Sequence, residues 1–267
     1  MPSKTKTDET LPVPEIDWER VDAEILAAEK SAFIPDFDFA DAKDLVRVLA
    51  DRFLARDLAT YRVSAIELPF SNPLSRGVCD VYAEADATAI DWKTRVTGSL
   101  DVEWQNRQID SWQWRITAAA LGLRKFVYRG VSRLEHKVRE IEIEVPEGNT
   151  QRVMQFLNGL FKSRAVLADF AIWPQNRPYA CRAYNRICEF DADCRDGTEP
   201  EGLVYMKPFS YSGATTFMLC PEKFRRGHMV SAERSESEET AFGNLVHAGT
   251  AEVYRQAFGL QKLEVKL

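Results

Sequence analysis

The stretch Gly77 to Lys93, GVCDVYAEADATAIDWK, constrains the fold of this 267-residue chain more than any other. It holds two β-prone runs, Val78 to Glu84 and Thr88 to Thr94, with polar residues around Asp86 between them, the pattern of an antiparallel hairpin. Side chains alternate along a strand, so Asp91 and Lys93 share a face. With a two-residue turn at Ala85-Asp86, Asp80 stands opposite Asp91; with a turn at Asp86-Ala87 it stands opposite Lys93. In both registers three charged groups converge. Such a cluster suits a hard divalent cation, because magnesium and manganese take oxygen ligands and their charge offsets the repulsion between carboxylates. A lysine there can orient or activate water, or stabilise charge developing on a phosphate. The same residues also fit a solvated hairpin face, and spacing alone does not choose between the two.

The elements around the hairpin alternate between the two periods. Trp18 to Lys30 and Ala40 to Leu58 read as amphipathic helices, the second with a stripe of Leu45, Val46, Val48, Leu49, Phe53 and Leu54. Thr60 to Phe70 reads as a strand carrying Glu67. Glu103 to Leu121 reads as one helix, which implies a crossover from the Lys93 strand onto the sheet. Lys125 to Ser132 and Val138 to Val145 read as strands, and Thr150 to Phe170 as a helix. The chain is long enough for one large domain, and its 45% apolar content is ample for a packed core. No unbroken apolar run approaches membrane-spanning length, and the polar opening MPSKTKTDET is not a secretory signal, so a cytoplasmic protein is expected.

A net charge of -6 does not advertise nucleic-acid binding. A local basic groove can still bind DNA on an acidic protein. The best stretch for one holds Arg124, Lys125, Arg129, Arg133, His136, Lys137 and Arg139, interleaved with Phe126 and Tyr128. It reads equally as a phosphate-tracking surface or as an ordinary charged edge strand.

Five cysteines, an odd number, argue against a disulfide framework and for thiol or metal chemistry. Cys181, Cys188 and Cys194 have the spacing C-x6-C-x5-C, and Cys220 is the natural fourth thiolate, with 25 intervening residues that close the loop easily. Cys79 points away from Asp80 on its strand and reads as a small buried apolar residue.

Asp80 and Asp91-Trp92-Lys93 resemble motifs II and III of the PD-(D/E)XK nuclease superfamily, in its RecB-like branch. That branch follows the lysine strand with a helix bearing a glutamine and, four positions on, an aromatic residue, matched here by Gln108 and Trp112. Trp112 stands where tyrosine is usual. Glu67 resembles a glutamate often found on the strand before motif II. The sequence Cys220-Pro221-Glu222-Lys223-Phe224, with Cys181, Cys188 and Cys194, is similar to the four-cysteine 4Fe-4S site of RecB-like and AddB-like exonucleases, and a structural zinc fits the same ligands. Gly243 and His247, in FGNLVHAGTAEVY, resemble the motif I helix whose histidine binds metal. In the family the first cysteine and the histidine precede the aspartates. Here they follow the last cysteine, so the chain looks circularly permuted.

The resemblance implies an α/β fold with a restriction-endonuclease-like core, a central mixed sheet flanked by helices, circularly permuted and stapled by the iron-sulphur cluster. Residues 1–15 would be a flexible tail, residues 16–267 one nuclease domain, and residues 195–219 a linker joining the family's usual ends. The implied activity is a Mg2+- or Mn2+-dependent deoxyribonuclease, most simply an exonuclease. His247, Asp80 and Asp91 would hold the metal, Lys93 would act on water and phosphate, and Gln108 and Trp112 would support the site or the DNA. The implied partners are DNA and a recombination or repair protein, with no membrane. The rival readings are a catalytically silent DNA-binding or redox-sensing module on the same fold, and a zinc-stapled interaction domain.

Overall fold

The computed structural model describes residues 12–31, 40–96, 98–169, 190–196, 208–229 and 238–262, together with Trp173, Gln175 and Cys188. Its centre is a five-stranded mixed sheet in the order β1-β2-β3-β4-β5. β1 (Ala65–Ser71), β2 (Arg76–Ala83) and β3 (Thr88–Arg95) form an antiparallel meander. β4 (Lys125–Ser132) runs parallel to β3, and β5 (Val138–Glu144) returns antiparallel to β4. The parallel pair requires a crossover, supplied by α3 (Val102–Asp110) and α4 (Trp112–Leu121).

Alternation along the strands sends residues to two layers. Ile90 and Trp92 of β3, with Val127 and Val131 of β4, pack against α1 (Trp18–Ser31), α2 (Ala40–Thr60) and α9 (Glu238–Phe258). Ala89, Phe126 and Tyr128 face the other way, onto Trp104 of α3 and Trp114 of α4. A third apolar cluster lies outside α4. There Ile116 meets Val153 and Leu157 of α5 (Asn149–Asp169) and Phe217 of α7 (Tyr211–Leu219). The short α8 (Pro221–Phe224) and a π-helical turn, Arg225–Met229, close that side through Phe224 and Met229. α6 (Asp191–Asp196) carries Cys194. No helix among the described residues is long and apolar enough to cross a membrane.

Four local expectations change. The hairpin turn spans Glu84 to Ala87 rather than two residues, yet Ala83↔Thr88 pairing keeps the register that sets Asp80 against Asp91. The first strand begins at Ala65, and Thr60 ends α2 instead. It also runs through Pro69, tolerated because β1 is an edge strand. The crossover is two helices, broken at Ser111. This residue has extended backbone (φ -63, ψ 141), donates its N–H to Gln108 at 3.1 Å, and caps α4 by accepting from Gln113 N–H at 3.1 Å. Serine competes with helical bonding in this way, which is why it favours caps over interiors. Finally, the end of the expected linker is ordered: Phe209 bridges in parallel to Ser75, Ser210 caps α7, and Ala214 and Phe217 are core residues. The expected flexible tail falls largely on residues 1–11, outside those described.

Candidate active site and thiol neighbourhood

β2 and β3 stop pairing at Val81↔Ile90, one residue before Asp80 and Asp91. The carboxylates therefore sit where the two strands part. Parting frees the Trp92 N–H, and Asp80 takes it up through Oδ2 at 2.9 Å. The same oxygen lies 3.6 Å from His247 Nδ1, so α9 reaches the site from the chain's far end. Gly243, one turn earlier, makes that approach possible: a Cβ there would stand 2.9 Å from Thr94 Oγ1 on β3. The His247 ring meets Trp92 edge-on, with centroids 6.1 Å apart.

Asp91 is 4% exposed. Its Oδ1 accepts from Gln113 Nε2 at 2.6 Å, and its Oδ2 forms an ion pair with Lys93 without a well-directed hydrogen bond. Burial raises the Asp91 carboxyl to about 6, with Asp80 adding to the rise and the Lys93 ammonium pulling against it. Burial pushes the Lys93 ammonium down, but Asp91 and Asp80 outweigh it and hold it above its ordinary value. Lys93 also stands 5.7 Å from the centre of the Tyr128 ring. Two carboxylates forced together, one desolvated, form a pair that a cation would relieve. Asp80 and Asp91 offer the carboxylate oxygens that Mg2+ or Mn2+ take and His247 adds one imidazole, although these three side chains do not already close around a common point. Asp91 Oδ2, buried and without a directed hydrogen bond, is the oxygen such an ion would use.

The structure brings together Asp80, Asp91, Lys93 and His247. The carboxamide at Asp91 is that of Gln113, not Gln108. Gln108 sits on α3, beyond the Ser111 break, and Trp112 stacks on Phe156 at 3.8 Å in the third apolar cluster. A continuous helix would have carried Gln108 and Trp112 on one face. The break turns Gln113 to the sheet instead, and Ser111 was the available signal. Glu67 has a left-handed backbone (φ 53) and forms an ion pair with Arg255 of α9.

The basic stretch does not form one continuous face. Arg129 is fully buried, held by Asp57 and Glu140, because alternation places it with Val127 and Val131 under α2 and α9. Phe126 and Tyr128 are buried on the opposite side, while Lys125 pairs with Glu142, Arg133 with Asp41 and Lys137 with Glu135. Arg124, His136 and Arg139 remain exposed.

Away from this site, Cys188, Cys194 and Cys220 share one neighbourhood. Burial raises the Cys194 thiol, the Arg226 guanidinium counters it, and Glu222, Cys188 and Cys220 are near enough to add to the rise. Cys220 caps α8, its Sγ accepting from Lys223 N–H at 3.4 Å. Cys194 N–H donates to Phe190, and Asp191 N–H to the Cys188 carbonyl. Cys181 lies outside the described residues. Among those described, no three Cys, His, Asp or Glu side chains already close around a common point. Cys79 is buried at 3% exposure in the apolar core, its thiol raised by burial and by Asp80 and Asp91.

The chain matches no protein-family profile and no curated protein.

Proposed function

We propose that this protein is a metal-dependent DNA nuclease of the PD-(D/E)XK superfamily, RecB-like, acting as an exonuclease and stapled by a 4Fe-4S cluster. The observation that carries the reading is the meeting of Asp80, Asp91, Lys93 and His247 where β2 and β3 part. Asp80, Asp91 and His247 would hold a Mg2+ or Mn2+ ion, which when bound would supply a Lewis acid for the scissile phosphate and an activated water. Gln113 fixes the orientation of Asp91 through its hydrogen bond. Lys93, charged and 27% exposed, is placed to orient water and to stabilise negative charge on a phosphate oxygen. Trp92, edge-on to the His247 ring, and Tyr128, its ring centre 5.7 Å from the Lys93 ammonium, are buried aromatic neighbours of the site.

The permuted order of motifs is compatible with this geometry. α9, which carries His247, packs directly on α1 near the start of the described chain, with Arg20 on Glu252 at 2.8 Å and Asp17 N–H on Gln256 Oε1 at 2.7 Å. A continuous core of this kind tolerates a change in where the chain is cut. The thiol neighbourhood supports the cluster. Soft thiolates suit iron-sulphur and zinc alike, and Cys181, Cys188, Cys194 and Cys220 would be the ligands. Anaerobically purified protein should contain iron and sulphide and be brown; colourless protein holding zinc alone would replace the cluster with a structural zinc site.

The activity is tested with end-labelled linear and closed circular DNA, single- and double-stranded, with and without Mn2+ or Mg2+. Loss of linear DNA alone, abolished by chelation and by Lys93→Ala, is expected. Absence of cleavage by folded, metal-loaded protein, with DNA binding that survives chelation, would leave the silent binding module as the better reading.

A further inference from the structure

The pairing of β1 with β2 contains an anomaly at the level of Asp80. Ile66↔Val81 and Leu68↔Cys79 are paired, which leaves Glu67 opposite Asp80. Residues two apart on a strand share a face, yet Ile66 and Val81 belong to the core under α1, α2 and α9, whereas Leu68 and Cys79 belong to the core under α3 and α4. Both strands therefore change face across this one pair. The backbone device is on the page: Glu67 has φ 53, a conformation L side chains rarely adopt outside turns.

A strained residue persists only if its surroundings hold it there. Arg255 does so. Its side chain is 3% exposed and pairs with Glu67, whose own side chain is 45% exposed, so the buried partner anchors the accessible one. Arg255 also reaches Glu252, which in turn is held by Arg20 at 2.8 Å. Arg255 lies two turns after His247 on α9. One helix thus grips both members of the pair, Asp80 through His247 and Glu67 through Arg255.

We propose that Glu67 and Arg255 are positioning residues for the metal site: the clamp holds the left-handed turn of β1, and that turn sets the change of face that presents Asp80 to Asp91 and His247. The inference rests on the metal-dependent reading above and concerns cation affinity rather than contact with substrate. It explains why a glutamate occupies a position whose backbone would be easier for glycine. Glycine would adopt the conformation unaided, whereas glutamate takes it because the Arg255 clamp holds it there.

Manganese binding to the full-length protein, followed by the loss of the free-ion electron paramagnetic resonance signal, tests this without reference to cleavage. Arg255→Met should weaken binding about tenfold, the scale of an outer partner lost from a metal site. Glu67→Gly should keep the parent affinity, because glycine takes φ 53 unaided. In the Glu67→Gly background, Arg255→Met should then change nothing further. Equal losses from Arg255→Met in both backgrounds, or no loss in either, overturn the proposal. If Arg255→Met does not fold, Glu67→Val against Glu67→Gly makes the same comparison at the exposed partner. Equal affinities there overturn it too. A parent protein whose manganese affinity is absent, or survives Asp91→Asn, refutes the metal site itself and this inference with it. Binding that needs Asp91 but ignores Glu67 and Arg255 refutes the inference alone.

Discussion

Replacing Asp57 by alanine should cost more stability than any surface change. Asp57 and Arg129 are both fully buried, joined by Arg129 Nη2 to Asp57 Oδ1 at 2.7 Å and by a second, shorter contact from Nη1 to Oδ2. Tyr254 of α9 joins them: its hydroxyl donates to Asp57 and accepts from Arg129 Nη1 at 2.9 Å. Removing the carboxylate leaves a guanidinium inside the core with Glu140, at 2.8 Å, as its remaining carboxylate partner among the described residues. Breaking a buried pair by removing one partner costs about 3–5 kcal/mol, because the survivor's charge stays desolvated. For a domain of this size each kcal/mol moves the melting temperature by roughly 2–4 °C, so Asp57→Ala should lower it by about 6–20 °C in thermal unfolding followed by circular dichroism. Arg129→Met should cost a similar amount, and the Asp57→Leu/Arg129→Met pair should regain most of the loss, since apolar replacement of a whole buried pair is often neutral. Losses in the double variant equal to the sum of the singles would refute the reasoning. So would a drop in DNA affinity for Arg129→Met at temperatures where it is folded, because the buried guanidinium cannot touch a phosphate.

The remaining predictions concern the site and its supports. Gln113→Ala should reduce metal-dependent cleavage at least about tenfold, as for other partners that orient a metal ligand, while Gln108→Ala leaves it unchanged; steady-state rates on linear DNA check both. Gly243→Val should push α9 from β3, costing about 1–3 kcal/mol of stability by overpacking, seen in denaturant unfolding, and weaken manganese binding through His247. Burial raises the Glu140 carboxyl, but hydrogen bonds from Arg56 and Arg129 outweigh it and hold it below its ordinary 4.5. Its contribution is therefore complete above that pH and is lost as pH falls through the depressed folded value. Stability measured between neutral pH and pH 3 should fall less steeply for Glu140→Gln than for the parent.

Much of the architecture was legible because its causes are local. Period-two alternation located the hairpin and left Asp80 opposite either Asp91 or Lys93, a choice that the Ala83↔Thr88 pairing makes, and period-three-to-four stripes located α1, α2 and α5. The Cys220, Cys188 and Cys194 spacing anticipated thiols that share one neighbourhood. Three matters depended on contacts between distant segments. Alternation assigns Arg129 a face, but only the arrival of α2 and α9 over that face makes it a buried ion pair rather than a phosphate contact. A serine inside a helical pattern can be an interior residue or a cap. At Ser111 the capping geometry decided for the break, and with it for Gln113 over Gln108. The left-handed backbone of Glu67 has no signature in its neighbours, since a glutamate ordinarily avoids it. It is held by Arg255, 188 residues away, and no local pattern can report a force applied from there.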